Sequence, residues 1–242
     1  VPLPKIDQPT FKINLLSRKD PVIYRPFTVK EHKLLLMASE SNEINDIVAA
    51  IKQIINNCCL DDIDVDELPV IDLEIFFITL RARSIGEIVD MKYKCKNKVD
   101  EKECGKHFLI KLNLLQDVQI EKSEMEQRIA LTDTIGMVLK YPTTSILQNI
   151  MNKSKEHGDM LDISLIAGCI DYIYDEEELY YAKDASEEEL MKFVGDLSTE
   201  QYSKIEEFLR NAPNIYAEKQ HICKHCGYEH NMRLEGIADF FM

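Results

Sequence analysis

From Thr10 to Phe27, in "TFKINLLSRKDPVIYRPF", apolar and polar residues alternate on both sides of a polar turn. That period of two predicts a β-hairpin, closed by Pro26. Thr28 and Glu31 then stand at capping-box spacing before an apolar run, so a helix is expected to start there. In "SNEINDIVAAIKQIINNCC", Ile44, Ile47, Val48, Ile51, Ile54 and Ile55 recur at helical spacing, and Cys58 and Cys59 end the helix as small hydrophobes. From Asp72, "LEIFFITLRARSIG" reads as a largely buried helix ending at Gly86, with Arg81 and Arg83 offsetting the dipole of its last turn. Between these helices, "LDDIDVDELPVIDLE" has neither the spacing nor the glycine of an EF-hand, and reads as a solvated turn with helix caps.

The period then returns to two. "EIVDMKYKC" and "HFLIKLNLL" alternate like strands, and "RIALTDTIGMVLKYP" adds one or two more before Pro142. Thr143 to about Asn211 reads as helical: "SILQNIMNKSKEHG" ending at Gly158, then "DMLDISLIAGCIDYIYD", then helices opened by Ser186 and by the Ser198/Gln201 capping box. The acidic run "DEEELYYAKDASEEEL" is expected to be a water-exposed helix–loop–helix. After Pro213, "NIYAEKQHIC" and "EHNMRLEG" are strand-like again. The expected architecture is α+β: a hairpin-plus-helix region (1–86), a β-rich region made of 87–142 and 212–242, and an inserted helical lobe (143–211).

Charge and composition narrow the function classes. A formal net charge of -14 argues against a broad nucleic-acid surface, which needs clustered Lys and Arg. With 8 glycines there is neither a P-loop nor a G-x-G-x-x-G. No apolar stretch approaches the ~18–20 residues of a membrane span. The opening "VPLPKIDQPTF" has no basic-then-apolar pattern of a signal peptide, and is expected to be an extended arm that lies along a neighbour. Motifs for zincin, serine-hydrolase or deaminase chemistry are absent, so no catalytic group stands out.

The cysteines change the picture most. Of seven, Cys223 and Cys226 sit in "HICKHCGYEH" between two strand-like segments, as at the tip of a hairpin, whereas a redox C-x-x-C opens a helix. The earlier hairpin shares the grammar: Cys95 ends one strand, Cys104 begins the next, and Gly105 follows Cys104 as Gly227 follows Cys226. Two C-G endings on two hairpins predict one tetrahedral site made by Cys95, Cys104, Cys223 and Cys226. Together the hairpins would form a split zinc-ribbon-like site around a structural Zn²⁺, although four thiolates also suit iron. His107, His221, His225 and His230 are the alternatives for a Cys₃His site. Lys94, Lys96, Lys98, Lys102, Lys106 and Lys224 would offset the charge of −2 on such a centre. The loop "KNKVDEKE" of the first arm is longer than usual and reads as a bulged insertion.

Taken in order, "IYRPFTVKEHKLLLMA", "AIKQIINNC", "LPVIDLEIFFITLRARSIGE", "IALTDTIGMVLKYP", "YYAKDASEEELMKFVGDLSTEQYSKIEEF", "CKHCG" and "LEGIADFF" resemble the T-even-type bacteriophage baseplate hub family. The resemblance runs from about Lys5 to Met242. It implies a non-enzymatic tail protein, assembled in the host bacterial cytoplasm and located in the virion baseplate. Its partners would be other hub, spike or tail-tube proteins, with neither membrane nor nucleic acid involved. Alternatives are a hub assembly factor absent from the mature virion, a zinc-ribbon regulator binding nucleic acid, and a C-x-x-C oxidoreductase. In the family the first cysteine arm is often a compact C-x-x-C. The arm from Cys95 to Cys104 departs from that while keeping the ligand count.

Overall fold

The structure is a computed structural model that describes residues 3–4, 6–41, 43–123, 126–153 and 161–241. The chain divides into two units. One holds Val1–Val65, Ile71–Glu121 and Asn214–Met242; the other holds Asp66–Val70 and Lys122–Pro213.

The first unit begins with the expected hairpin, β1 (Phe11–Ile13) paired antiparallel to β2 (Val22–Tyr24). Helix α1 (Val29–Ser41) starts where the Thr28/Glu31 spacing places it: the Glu31 carboxylate accepts from the Thr28 N–H at 2.7 Å and from its hydroxyl at 2.5 Å. Helix α2 (Ile44–Cys58) buries Ala50, Ile51, Ile54, Ile55 and Cys58 on one stripe. Burial pushes the Cys58 thiol up to about 12, in keeping with a core residue rather than a reactive one. Helix α3 (Val70–Ser84) is apolar nearly all round and supplies Phe76, Phe77 and Leu80 to the core, with Tyr24 meeting Phe76 edge-on at 5.4 Å.

The acidic segment that leads into the first turn of α3 is more than a solvated turn. Asp61 accepts the Ile23 N–H at 2.6 Å, and Asp72 is wholly buried, accepting the N–H groups of Leu16 at 2.6 Å and Ser17 at 2.9 Å. These carboxylates give the hairpin's N–H groups partly buried, charge-assisted partners. Local sequence carries no trace of such a partnership, because the groups that meet lie far apart along the chain.

Strand β3 (Ile88–Lys94) leads into a small two-stranded ribbon, β4 (Lys98–Val99) with β5 (Lys102–Glu103), and β6 (His107–Asn113) returns to pair with β3 in unbroken register from Ile88↔Asn113 to Lys94↔His107. Strand β7 (Gln119–Glu121) follows, and there the chain leaves for the second unit.

That unit opens with a hairpin, β8 (Arg128–Ala130) and β9 (Gly136–Leu139), then α4 (Thr144–Lys153) and α5 (Leu161–Cys169). The expected helix end at Gly158 lies outside the described residues. The all-helical expectation for 143–211 is corrected here. Directly after α5 the chain becomes β10 (Ile170–Tyr174), turns on Asp175, and returns as β11 (Leu179–Tyr181), giving a sheet ordered β11-β10-β9-β8. The run "LDISLIAGCIDYIY" is apolar almost throughout, so its period separates helix from strand poorly, and pairing with β9 decides the matter. The acidic run likewise holds an exposed edge strand and a 3₁₀ turn before a single helix, α6 (Glu187–Gly195). Helix α6 opens at Ser186 as expected, with a capping box to Glu189, and α7 (Thr199–Arg210) begins with the expected Ser198/Gln201 capping box. Their core includes Met137, Leu139, Ile166, Val194, Ile205 and Phe208.

Gly136 is a close-packing point in that sheet. A Cβ there would lie 2.1 Å from the Tyr174 hydroxyl oxygen and 2.7 Å from the Ile129 carbonyl oxygen. Gly136→Ala is therefore expected to destabilise the second unit by about 1–3 kcal/mol, measurable by urea denaturation. Wild-type stability in that variant would contradict the packing described.

The chain re-enters the first unit as β12 (Asn214–Ile222), which pairs with β7 on one side and β13 (Glu229–Glu235) on the other, and ends in the short helix α8 (Gly236–Phe241). Ile78, Met91, Ile110, Leu112, Ile215, Ala217, Leu234 and Phe240 form the core shared by α3, both cysteine hairpins and α8. Among the described residues no helix is long and apolar enough to cross a membrane.

Candidate metal centre

Each cysteine arm is a knuckle at the end of an antiparallel hairpin. In the second, the Cys223 N–H donates to the Tyr228 carbonyl at 2.8 Å, and the Gly227 N–H donates back to the Cys223 carbonyl at 2.8 Å. The first repeats this geometry: Cys95 N–H to the Lys106 carbonyl at 2.8 Å, Gly105 N–H to the Cys95 carbonyl at 3.0 Å. Gly105 and Gly227 take φ of 65° and 71°, the left-handed conformation in which a side chain is disfavoured.

The long first arm is explained by the same bonds. Cys104 donates its N–H to the Asn97 carbonyl at 2.7 Å, closing the base of the β4–β5 ribbon. The ribbon turns at Asp100 and Glu101, both with positive φ, as a two-residue hairpin turn of the primed type requires. Lys98–Glu103 is thus an outgrowth between Asn97 and Cys104, and what remains is a C-x-x-C-G knuckle. The expected bulge is a paired ribbon, further held by a Lys94–Glu103 ion pair at 2.8 Å.

The two knuckles bring all four sulfurs together. Cys95 and Cys226 are 3.7 Å apart, Cys104 and Cys223 3.9 Å, and all four ligand atoms lie within 4.8 Å of one another. Four sulfurs at about 2.3 Å from a central ion stand about 3.8 Å apart in a regular tetrahedron. A disulfide would require about 2.05 Å. The cluster could therefore bind a metal ion, with Cys95 and Cys223 buried and Cys104 and Cys226 half-buried.

The surroundings suit thiolates. The peptide N–H groups of Asn97, Lys106 and Tyr228 bond to the sulfurs of Cys95, Cys104 and Cys226, each two residues back along the chain. As thiols the sulfurs are unequal: burial pushes Cys95 up to about 12, whereas the Tyr228 N–H, aided by the Asn97 amide and against some burial, brings Cys226 down to about 6. Metal binding requires thiolates, so it releases protons and weakens as pH falls.

The histidines considered as substitute ligands are placed differently. His107, His221 and His225 line a depression of about 530 Å³ beside Cys223, where His221 stacks on Phe108 at 4.1 Å. His230 instead points Nε2 at the Cys95 sulfur, 3.3 Å away. Lys106 and Lys224 border the same depression. Sequence reasoning missed Asn97, whose side-chain amide donates to the Cys226 sulfur at 3.6 Å. Its place two residues after Cys95 was the available signal. Cys58, Cys59 and Cys169 lie outside the cluster.

The family model described as T4 bacteriophage base plate protein matches residues 8–242, which takes in both units and both cysteine arms. Neither the comparison with curated proteins nor that with solved structures gives a match.

Proposed function

The chain belongs to the T4 bacteriophage base plate protein family, and from that premise we propose that it is a non-enzymatic structural subunit of the baseplate hub at the end of a contractile tail. The family match across nearly the whole chain carries the baseplate part of this reading, and the hub assignment rests on the ordered motif resemblance. A hub subunit works by shape: it needs a rigid body and faces that fit other hub, spike or tail-tube proteins. In this reading a structural Zn²⁺ on Cys95, Cys104, Cys223 and Cys226 joins two hairpins that are separated in sequence by Lys122–Pro213 of the second unit. Zinc offers no redox chemistry, and four sulfurs leave no open position, so the ion braces the fold. Assembly in the reducing host cytoplasm keeps the thiols free to bind it. The arm before β1 supports an interaction role as well, since Leu3 and Ile6 are 88% and 85% exposed in a proline-containing stretch of sequence.

Quantitative mass spectrometry of purified virions tests the assignment. The chain is expected among the tail proteins at a fixed copy number per particle. Its presence in assembly intermediates but not in mature virions would make it an assembly factor and overturn the hub-subunit reading.

A further inference from the structure

Two polar side chains cross between the knuckles in opposite directions. Asn97, from the first arm, directs Nδ2 at the sulfur of Cys226 in the second, 3.6 Å away. His230, from the second arm, directs Nε2 at the sulfur of Cys95 in the first, 3.3 Å away. The sulfurs they address, Cys95 and Cys226, are themselves the 3.7 Å pair. We propose that Asn97 and His230 are reciprocal positioning residues of the metal centre, each donating an N–H across the gap to a thiolate held by the opposite arm. The inference rests on the four-thiolate reading above.

The physical case begins with charge. A divalent ion with four thiolates carries −2, and the centre is partly removed from water. Hydrogen bonds from N–H groups to the sulfurs spread that charge, and charge-assisted bonds are roughly twice as strong as neutral ones. A metal-bound thiolate has no proton, so in the His230–Cys95 contact the imidazole is the donor. This fixes the tautomer with its proton on Nε2. The ring is held in place for the task. Phe108 lies 5.0 Å from its centroid, tilted, and Tyr228 meets it edge-on at 4.8 Å. Phe108 in turn stacks on His221 at 4.1 Å and has the Tyr93 ring beside it at 6.1 Å.

Because each donor crosses to the other arm, the pair does more than tune one sulfur. Peptide N–H groups of each knuckle already serve that knuckle's own cysteines. Those bonds do nothing against separation of the arms, whereas a bond that spans them adds to the shared core in opposing it, and separation is how such an ion is lost. Asn97 and His230 therefore govern how tightly the ion is retained more than whether the hairpins form.

Cobalt(II) titration of the full chain tests this, read through the sulfur-to-cobalt charge-transfer band and the tetrahedral d–d bands. His230→Ala is expected to weaken Co²⁺ binding about 10–100-fold and to shift the charge-transfer band. His230→Gln, whose amide nitrogen reaches nearly the same place, is expected to recover most of the loss. Asn97→Ala, on the loop side of the knuckle, is expected to weaken binding in the same range, and it covers the case in which the histidine variant folds poorly. Nitrogen-15 NMR of the zinc-loaded wild type is expected to show His230 protonated at Nε2. Wild-type affinity and an unshifted band in both alanine variants would overturn the proposal while leaving the four-thiolate centre standing. A wild-type spectrum of three sulfurs and one nitrogen would make His230 a ligand and overturn it too. If the wild type gives no thiolate–cobalt spectrum, the metal reading itself falls, and this inference with it.

Discussion

Replacing Cys223 with alanine is expected to abolish stoichiometric zinc and to produce the largest loss of stability of any single change in the first unit. Cys223 is 3% exposed, its sulfur lies 3.9 Å from that of Cys104, and its backbone makes both hydrogen bonds of the second knuckle. Structural zinc carries about 10–16 kcal/mol of apparent binding free energy in small zinc-finger peptides. Here the hairpins also share a hydrophobic core with α3 and α8, so they retain some structure without the ion. A ligand present at 1,000 times its Kd stabilises the folded state by about 4 kcal/mol, and a loss of that order is expected on removing a thiolate or adding a strong chelator. The effect is local. Hydrogen exchange is expected to accelerate in β3, β6, β12 and β13 and to stay unchanged in β8, β9 and β10, which belong to the other unit. Cys169→Ala serves as control: it lies outside the cluster, in the second unit, and is expected to keep the metal. Metal analysis of the pure wild type should give about one zinc per chain. A metal-free wild type, or a Cys223→Ala protein as stable as its parent, would remove the brace from this account.

The second large effect is expected at Glu31. Its side chain is 7% exposed and bonds to Thr28 and, at 3.2 Å, to the Arg25 guanidinium. Arg25 also donates to the carbonyls of Pro26 and Asn57, so this one cluster ties the start of α1 to the end of α2. Burial by itself would raise the Glu31 carboxyl, but the Thr28 hydroxyl and N–H and then Arg25 outweigh it and hold it down at about 2. A carboxyl with a depressed folded pKa contributes stability that is complete above its unfolded value, about 4.5, and is lost as pH falls toward 2. From 4.5 down to about 2 the linkage amounts to roughly 3 kcal/mol. Glu31→Ala, which strands a mostly buried guanidinium, is accordingly expected to cost about 3 kcal/mol at pH 7. Urea titrations of wild type and variant at pH 7, 4 and 3 check both magnitude and sign. Acid also releases metal, but it does so from both proteins, so the difference between them isolates Glu31. That difference should shrink steadily below pH 4.5, and one that stayed constant down to pH 3 would contradict the assignment.

Much of the site was legible because its grammar is local. A C-x-x-C-G between two period-two segments specifies a knuckle, since the glycine supplies the left-handed turn and the flanking strands supply the hairpin. The second C-G ending carried the same information through a longer loop, and the structure shows why: the extra residues fold into their own ribbon and leave the knuckle geometry intact. The helix starts at Ser186 and Ser198 were legible for the same reason, being set by contacts three residues apart. The strand β10 was not. Its apolar run fits either a buried helix or a buried strand, and the difference lies in the partner strand β9, outside the window.

By itself, then, the sequence determined the hairpins, the caps, the stripes of buried residues and the four sulfurs that stand at hairpin tips, because each follows from the stereochemistry of a few consecutive residues. Only the tertiary structure decided that those sulfurs stand within 4.8 Å of one another, that Asn97 and His230 cross between the arms, and that Asp72 belongs to the hairpin turn at Leu16. Those are contacts between residues far apart in the chain. A short-range pattern carries no record of them, since they are fixed by how the shared core closes.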